Sequence, residues 1–291
     1  MDIWQHLEQQ ITQASGSAFH LNQNRSVGGG CINAAFRVSD GRRSYFVKTN
    51  SAAYASMFEA EAEALGEMTS SATVRVPEPV CYGRHGDQCY IVMEYLELGG
   101  SADMADFGRQ LAAMHRVTDE YFGWRIDNTI GSTPQPNSQN KDWVEFWREQ
   151  RLGFQLDTAA RNGYGGELQR LGERLLADMP ALFKHHQARP SMLHGDLWSG
   201  NYGALRDGTP VIFDPAFYYG DREADLAMTK LFGGFGGRFY AAYNEAWPLD
   251  QGFEIRETFY NIYHIINHLN LFGGGYHAQA ISMIERVLAE L

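Results

Sequence analysis

The side chains best placed to do chemistry in this 291-residue chain fall in two short stretches. The first, H-G-D-L-W-S-G-N at 194–201, sets Asp196 five residues ahead of Asn201. That H-x-D-x-x-x-x-N spacing suits phosphoryl transfer. The aspartate can accept the proton of an attacking hydroxyl, and the asparagine, one loop turn later, offers a carbonyl oxygen to Mg²⁺ between phosphates. Turns often carry Asp and Asn for conformational reasons alone, so a second signal has to decide. It comes eighteen residues after Asp196, where Asp214 closes the apolar run Val211, Ile212, Phe213. A carboxylate and a carboxamide converging on one site match a hard cation that takes oxygen ligands and keeps some water.

An amine must then hold the phosphates, and the sequence offers little choice. Of 24 basic residues only four are lysines, and Lys48 is the sole one before residue 141. An isolated strand lysine is ordinarily a solvated edge charge, but the helix read at 54–69 argues otherwise. At 100° per residue Met57, Phe58, Leu65 and Met68 form one apolar arc with Glu61 in its middle, while Glu59, Glu63 and Glu67 point away. A carboxylate on a buried face needs a cation, so Glu61 is read as the partner that orients Lys48. Upstream, Gly28, Gly29 and Gly30 would offer backbone N–H groups over the phosphates, although the run does not match G-x-G-x-x-G. A Walker A loop is excluded, because no lysine follows a glycine. Cys31, beside those amides, reads either as an oxidant-sensitive thiol or as an inert buried one. Glu94 and Tyr95 end a strand read at 88–95 and are expected to form a hinge whose backbone meets adenine; an ordinary strand end is the competing reading. The triplet Asp106, Phe107, Gly108 spells a metal-binding motif, yet it lies upstream of 194–201. Phe107, Leu111 and Met114 recur at helical spacing, so it is read as part of a helix.

These residues need a strand-rich part to carry Lys48 and a helical part to carry Asp196. The first third supplies a short helix around Trp4, Leu7 and Ile11, a hairpin of 31–38 and 43–49 about Asp40-Gly41, and strands at 74–79 and 88–95. After the glycine-bearing stretch 98–101 the pattern turns helical, at 104–116, 141–162, 167–185, 222–231, 238–247, 254–271 and 277–291, with 131–140 the most loop-like segment. The expectation is an α+β chain with a nucleotide-binding lobe at 1–97 and a catalytic and substrate-binding lobe at 98–291. Hydrophobic residues at 44% and charged ones at 20% give enough apolar surface for full cores. A net charge of −11 argues against an electrostatic grip on nucleic acid or anionic lipid. Three cysteines without a C-x-x-C pair and an N-terminus without an apolar core suit a reducing cytoplasm.

With these residues placed, the chain resembles the fructosamine (ketosamine) 3-kinase family within the wider aminoglycoside and choline kinase-like group. The likeness runs nearly end to end, through 26–32, 46–48 with 57–61, I-G-S-T-P-Q-P-N at 130–137, 194–201 with its tryptophan, and F-D-P-A at 213–216 leading into G-D-R-E at 220–223. The resemblance implies a bilobal protein-kinase-like fold, ATP and Mg²⁺, and phosphorylation of the 3-hydroxyl of free or protein-bound ketosamines. It also implies that Asp225, with His194 in the loop itself, braces the catalytic loop. Trp198, two residues from the base, could stack on a sugar or meet a cationic amine, with packing as the alternative. Asn267 and His268, polar residues in an apolar helix, could line the same pocket or be satisfied core groups. Only eleven residues separate Asp214 from Asp225, too few for an activation segment, which disfavours a regulated protein kinase. Rival readings are a kinase of the same fold acting on an aminoglycoside, choline-like amine or sugar, and a nucleotide-binding protein that does not catalyse. The sequence sets no oligomeric state.

Overall fold

Asp2 opens the first helix by accepting the Gln5 amide at 2.8 Å, and Ile3–Ser15 (α1) ends at Gly16 in the left-handed region, φ 65°. The computed structural model describes residues 2–28 and 32–291, so the readings placed on Gly29, Gly30 and Cys31 fall outside the described residues. Five antiparallel strands follow: Gln23–Ser26 (β1), Ala34–Ser39 (β2), Ser44–Ser51 (β3), Pro79–His85 (β4) and Gln88–Glu94 (β5), in the order β1-β2-β3-β5-β4. The β2–β3 turn forms as Asp40-Gly41 demands: Asp40 Oδ1 accepts the amides of Arg42 and Arg43 at 2.8 and 2.7 Å, and Gly41 takes φ 91°. One face of this sheet buries Val38, Val47, Tyr90 and Val92 with Leu7, Ile11 and Phe19. Strand alternation therefore turns Lys48 and its register partner Ile91 to the other face. There the helix Ala55–Ser70 (α2) lays Phe58, Leu65 and Met68 inward.

One strand expectation is corrected here, and one strand has no counterpart among the expectations. Residues 74–78 do not join the sheet, because Pro77 and Pro79 lack the N–H groups a ladder needs; Pro79 instead opens β4, as proline can at a strand start. Val74 and Val76 are buried all the same, and Arg75 makes an isolated parallel bridge to Val211. The edge strand β1, wholly exposed Q-N-R-S, shows no apolar alternation and was not read from the sequence.

Beyond Ala102 the chain enters a second unit. Met104–His115 (α3) contains the Asp106-Phe107-Gly108 triplet: Phe107 is fully buried and Asp106 pairs with Arg109 on the surface. The stretch read as a loop at 131–140 is partly a small hairpin, Asn128–Ile130 (β6) with Thr133–Gln135 (β7). The helix read at 141–162 is Trp143–Trp147 (α4), a π turn at Arg148–Leu152, and Gly153–Arg161 (α5). Buried Arg151, within the π turn, holds the segment after β7 by donating to Pro136 O and Asn137 Oδ1, both at 2.6 Å. Glu167–Asp178 (α6) leads to Ser191–Leu193 (β8). Residues 203–215 then return to the first unit, with Pro210–Ile212 (β10) pairing Tyr202–Ala204 (β9). The second unit resumes with Tyr218–Gly220 (β11), antiparallel to β8, then Arg222–Leu231 (α7), Gly237–Ala246 (α8), Phe253–Phe272 (α9) and Tyr276–Leu288 (α10). No helix among the described residues is long and apolar enough to cross a membrane.

Candidate active site

In the first unit the structure brings Lys48, Glu61 and Asp214 together. Lys48 Nζ donates to Glu61 Oε1 at 2.6 Å and to Asp214 Oδ1 at 2.5 Å. The side chains of Lys48 and Glu61 are each 9% exposed and that of Asp214 50%. Burial would lower the Lys48 pKa, but Asp214 and Glu61 outweigh it and push it up, keeping the amine charged. Burial pushes Glu61 up, opposed by Lys48 and reinforced by Asp214. Of the two carboxylates that share this ammonium, half-exposed Asp214 is the one open to an added cation. Asp214 also holds φ 59°, one of two non-glycine residues in the left-handed region among those described.

The other first-unit candidates engage neighbours of their own. The Glu94 amide donates to Glu78 O at 2.8 Å and its carboxylate pairs with Arg75, while the Arg37 guanidinium lies 4.5 Å over the Tyr95 ring. With the Glu94 amide and both side chains committed, a base bound there would have to meet the remaining backbone groups. Gly28 is exposed, and a Cβ on it would meet open space. Asn50, not singled out from sequence, donates to Asn33 Oδ1 at 2.7 Å and ties the end of that loop to β3.

The second unit builds the 194–201 loop around Asp225. Its buried carboxylate accepts the His194 amide at 2.7 Å and the Gly195 amide at 2.8 Å, fixing the turn into Asp196. Burial would raise Asp225, but the hydrogen bonds from His115 and the Gly195 amide help hold it below the usual carboxylate range. Gly195 sits at φ 82° against Ala216, and a Cβ there would overlap the Ala216 carbonyl. Asn201 Nδ2 donates to Asp196 O at 2.9 Å and Asp196 Oδ2 at 3.1 Å, so its carboxamide oxygen is the atom with ligand chemistry to spare. His115, fully buried and pushed toward neutrality by burial, spans Asp225 at 3.2 Å and the Tyr243 hydroxyl at 2.8 Å. A sequence signal for it existed: a titratable group on the apolar face of α3, eight residues after Phe107.

Trp198 and His268 join one run of rings. Half-buried Trp198 meets Phe232 edge-on at 5.8 Å, Phe232 lies 5.1 Å from His268, and His268 is 5.2 Å from Tyr276. His268 Nδ1 donates to His264 O at 2.7 Å, which leaves Nε2 as the acceptor. Asn267 is turned elsewhere. It is 3% exposed, accepts from Gln155 at 3.2 Å and donates to Ile130 O at 3.5 Å, as a bracing core residue does.

The fold is that of the kinase-like phosphotransferases. The chain matches, at a TM-score of 0.64 and 14% identity, the choline kinase LicA of Streptococcus pneumoniae over 98% of its own length and all of that chain. A fructosamine-3-kinase candidate from Haemophilus somnus 129PT superposes with a TM-score of 0.90 at 28% identity, covering 98% of this chain and 97% of that one. In sequence, a Synechocystis protein carrying the name probable ketoamine kinase is 46% identical over 98% of this chain and 97% of its own. The chloroplastic protein-ribulosamine 3-kinase of Arabidopsis thaliana is 45% identical over 95% of this chain and 86% of its own. The fructosamine kinase family model matches residues 3–290, and the chain belongs to that family.

Proposed function

We propose that the protein transfers the γ-phosphoryl group of ATP to the 3-hydroxyl of ketosamines, the adducts that ribose- or glucose-type sugars form with amines. The observation that carries this reading is the family match along residues 3–290. In this assignment Lys48, held by Glu61, anchors ATP phosphates, with Gly28 in the loop before β2 and the Glu94–Tyr95 backbone toward the base. Asp214 and the Asn201 carboxamide oxygen are the oxygen donors assigned to Mg²⁺, a hard cation that when bound would neutralise phosphate charge. Asp196, oriented by Asn201, accepts the proton from O3. A bond forms between O3 and Pγ, the bond from Pγ to the β-phosphate bridge breaks, and ADP leaves. Trp198 and His268 flank the acceptor, the indole face meeting sugar or amine and Nε2 accepting from a hydroxyl.

Phosphorylation at O3 also explains why such an enzyme would be kept. In the 1,2-enaminol form of a ketosamine, electrons can expel the C3 substituent; hydroxide leaves poorly and phosphate well. Loss of phosphate leaves an imine, and water hydrolyses it to the free amine and a deoxy-dicarbonyl sugar. A lysine peptide bearing ribulosamine or fructosamine, incubated with Mg²⁺ and ATP, is expected to gain one phosphate by mass spectrometry and then lose the sugar. Turnover of an aminoglycoside, choline or free sugar with none of either ketosamine would overturn the substrate assignment and leave the fold intact.

A further inference from the structure

A second constellation lies wholly within the helical unit and shares no residue with the set above. His186, after α6, is buried between carboxylates on both ring nitrogens. Its Nε2 meets Asp221 Oδ2 at 2.6 Å; its Nδ1 faces Asp250 Oδ2 at 2.7 Å and Glu223 Oε1 at 3.6 Å. Asp221 caps α7 and also accepts the Tyr260 hydroxyl at 2.6 Å, which fixes it as the acceptor of the Nε2 proton. Glu223 is gripped by Arg256 at 2.6 and 3.0 Å. Arg222, next to Asp221, is turned away to Trp247 O and Pro248 O.

With Nε2 committed to Asp221, Nδ1 faces the Asp250 and Glu223 carboxylates together, an arrangement that calls for a cation on that side of the ring. A divalent cation bound to Nδ1 would reach both carboxylates. The ligand atoms of His186, Glu223 and Asp250 already lie within 4.8 Å of one another, and the Asp250 side chain, 48% exposed, is the member able to close in. Zinc-class ions bind imidazole nitrogen and carboxylate oxygen at about 2.0–2.2 Å. They are typically served by a histidine whose other nitrogen donates to a carboxylate, the place Asp221 occupies.

We propose that His186 Nδ1, Glu223 and Asp250 form a binding site for a zinc-class divalent cation that ties the segment after α6, the first turn of α7 and the segment before α9. Glu223 lies two residues from Asp225, so an ion here would stiffen the helix end that braces the 194–201 loop. Mg²⁺, which prefers six oxygens, is a poor match for it.

The test uses untagged full-length protein in an Asp214→Asn background, which removes a carboxylate of the other candidate cation site. Titration with Co²⁺ is expected to give visible absorption saturating at one equivalent, and Zn²⁺ to displace it and raise Tm by several degrees. Asp250→Asn, at a half-exposed position that folds readily, should weaken both by at least tenfold, and His186→Gln more so. Mg²⁺ should not compete. Absence of saturable Co²⁺ and Zn²⁺ binding, or binding unchanged in Asp250→Asn, would overturn the site and leave a plain ion network.

Discussion

At the scale of single residues, the proposed assignment separates an anchoring group from a proton acceptor, and substitution should separate them too. Asp196→Asn keeps the side-chain shape and the contact to Asn201 but cannot take a proton. It is expected to lower kcat by on the order of 10²–10⁴-fold with little change in ATP affinity, measured by coupled ADP release and nucleotide titration. A variant with near wild-type kcat would remove Asp196 from that role. Glu61→Gln acts on the other half. It leaves Lys48 with Asp214 as its one charged partner, so the amine is drawn toward the carboxylate assigned to the metal. KM for ATP should rise about tenfold or more, equivalent to roughly 1.4 kcal/mol, with a smaller fall in kcat. An unchanged KM would show that Glu61 does not position the amine.

At the scale of elements, glycine conformation gives a paired test. Gly195 sits at φ 82° with the Ala216 carbonyl where a Cβ would go, so Gly195→Ala should cost more than the about 1–3 kcal/mol of backbone strain alone. Gly28→Ala faces open space and should leave stability within about 0.5 kcal/mol. Denaturant unfolding checks both, and equal effects would mean that the turn into Asp196 tolerates a side chain. Legibility also follows element type. The Lys48–Glu61 contact could be read because one lysine stood on a strand and one carboxylate interrupted an apolar arc. The Asp196–Asn201 bond lies within a motif. Elements without periodicity could not be read: three-residue strands such as β6 and β7, the polar edge β1, and the π turn inside an apparently continuous helix. His115 and Arg151 escaped notice for a related reason. Their value lies in partners such as Asp225, 110 residues from His115, that no local pattern reports.

For the whole molecule, buried histidines contribute to the response to acid. Burial, reinforced by nearby His268, lowers His264 from 6.5 to about 3, and its Nδ1 has no hydrogen-bond partner among the described residues. The unfolded chain takes up a proton below about pH 6.5 that the folded state refuses. Stability from this group is therefore full above that pH and lost as pH falls, by about 1.4 kcal/mol per unit. His186 is shifted the other way, so its contribution is present at low pH and lost as pH rises. Chemical denaturation of wild type and His264→Gln between pH 7 and 5 isolates the first effect: the variant should show the shallower decline, and parallel curves would show that His264 protonates freely in the fold. Chain order adds a constraint in time. Segment 203–215 belongs with the first unit, and Asp214 is made 166 residues after Lys48. At about 5–20 residues per second a ribosome needs roughly ten to thirty seconds to cross that interval. Through that interval only one of the two carboxylate partners of Lys48, Glu61, has been made. Premature termination anywhere before Asp214 therefore yields a polypeptide that can fold its first sheet yet cannot assemble the charged triad, so a truncated product would be inert.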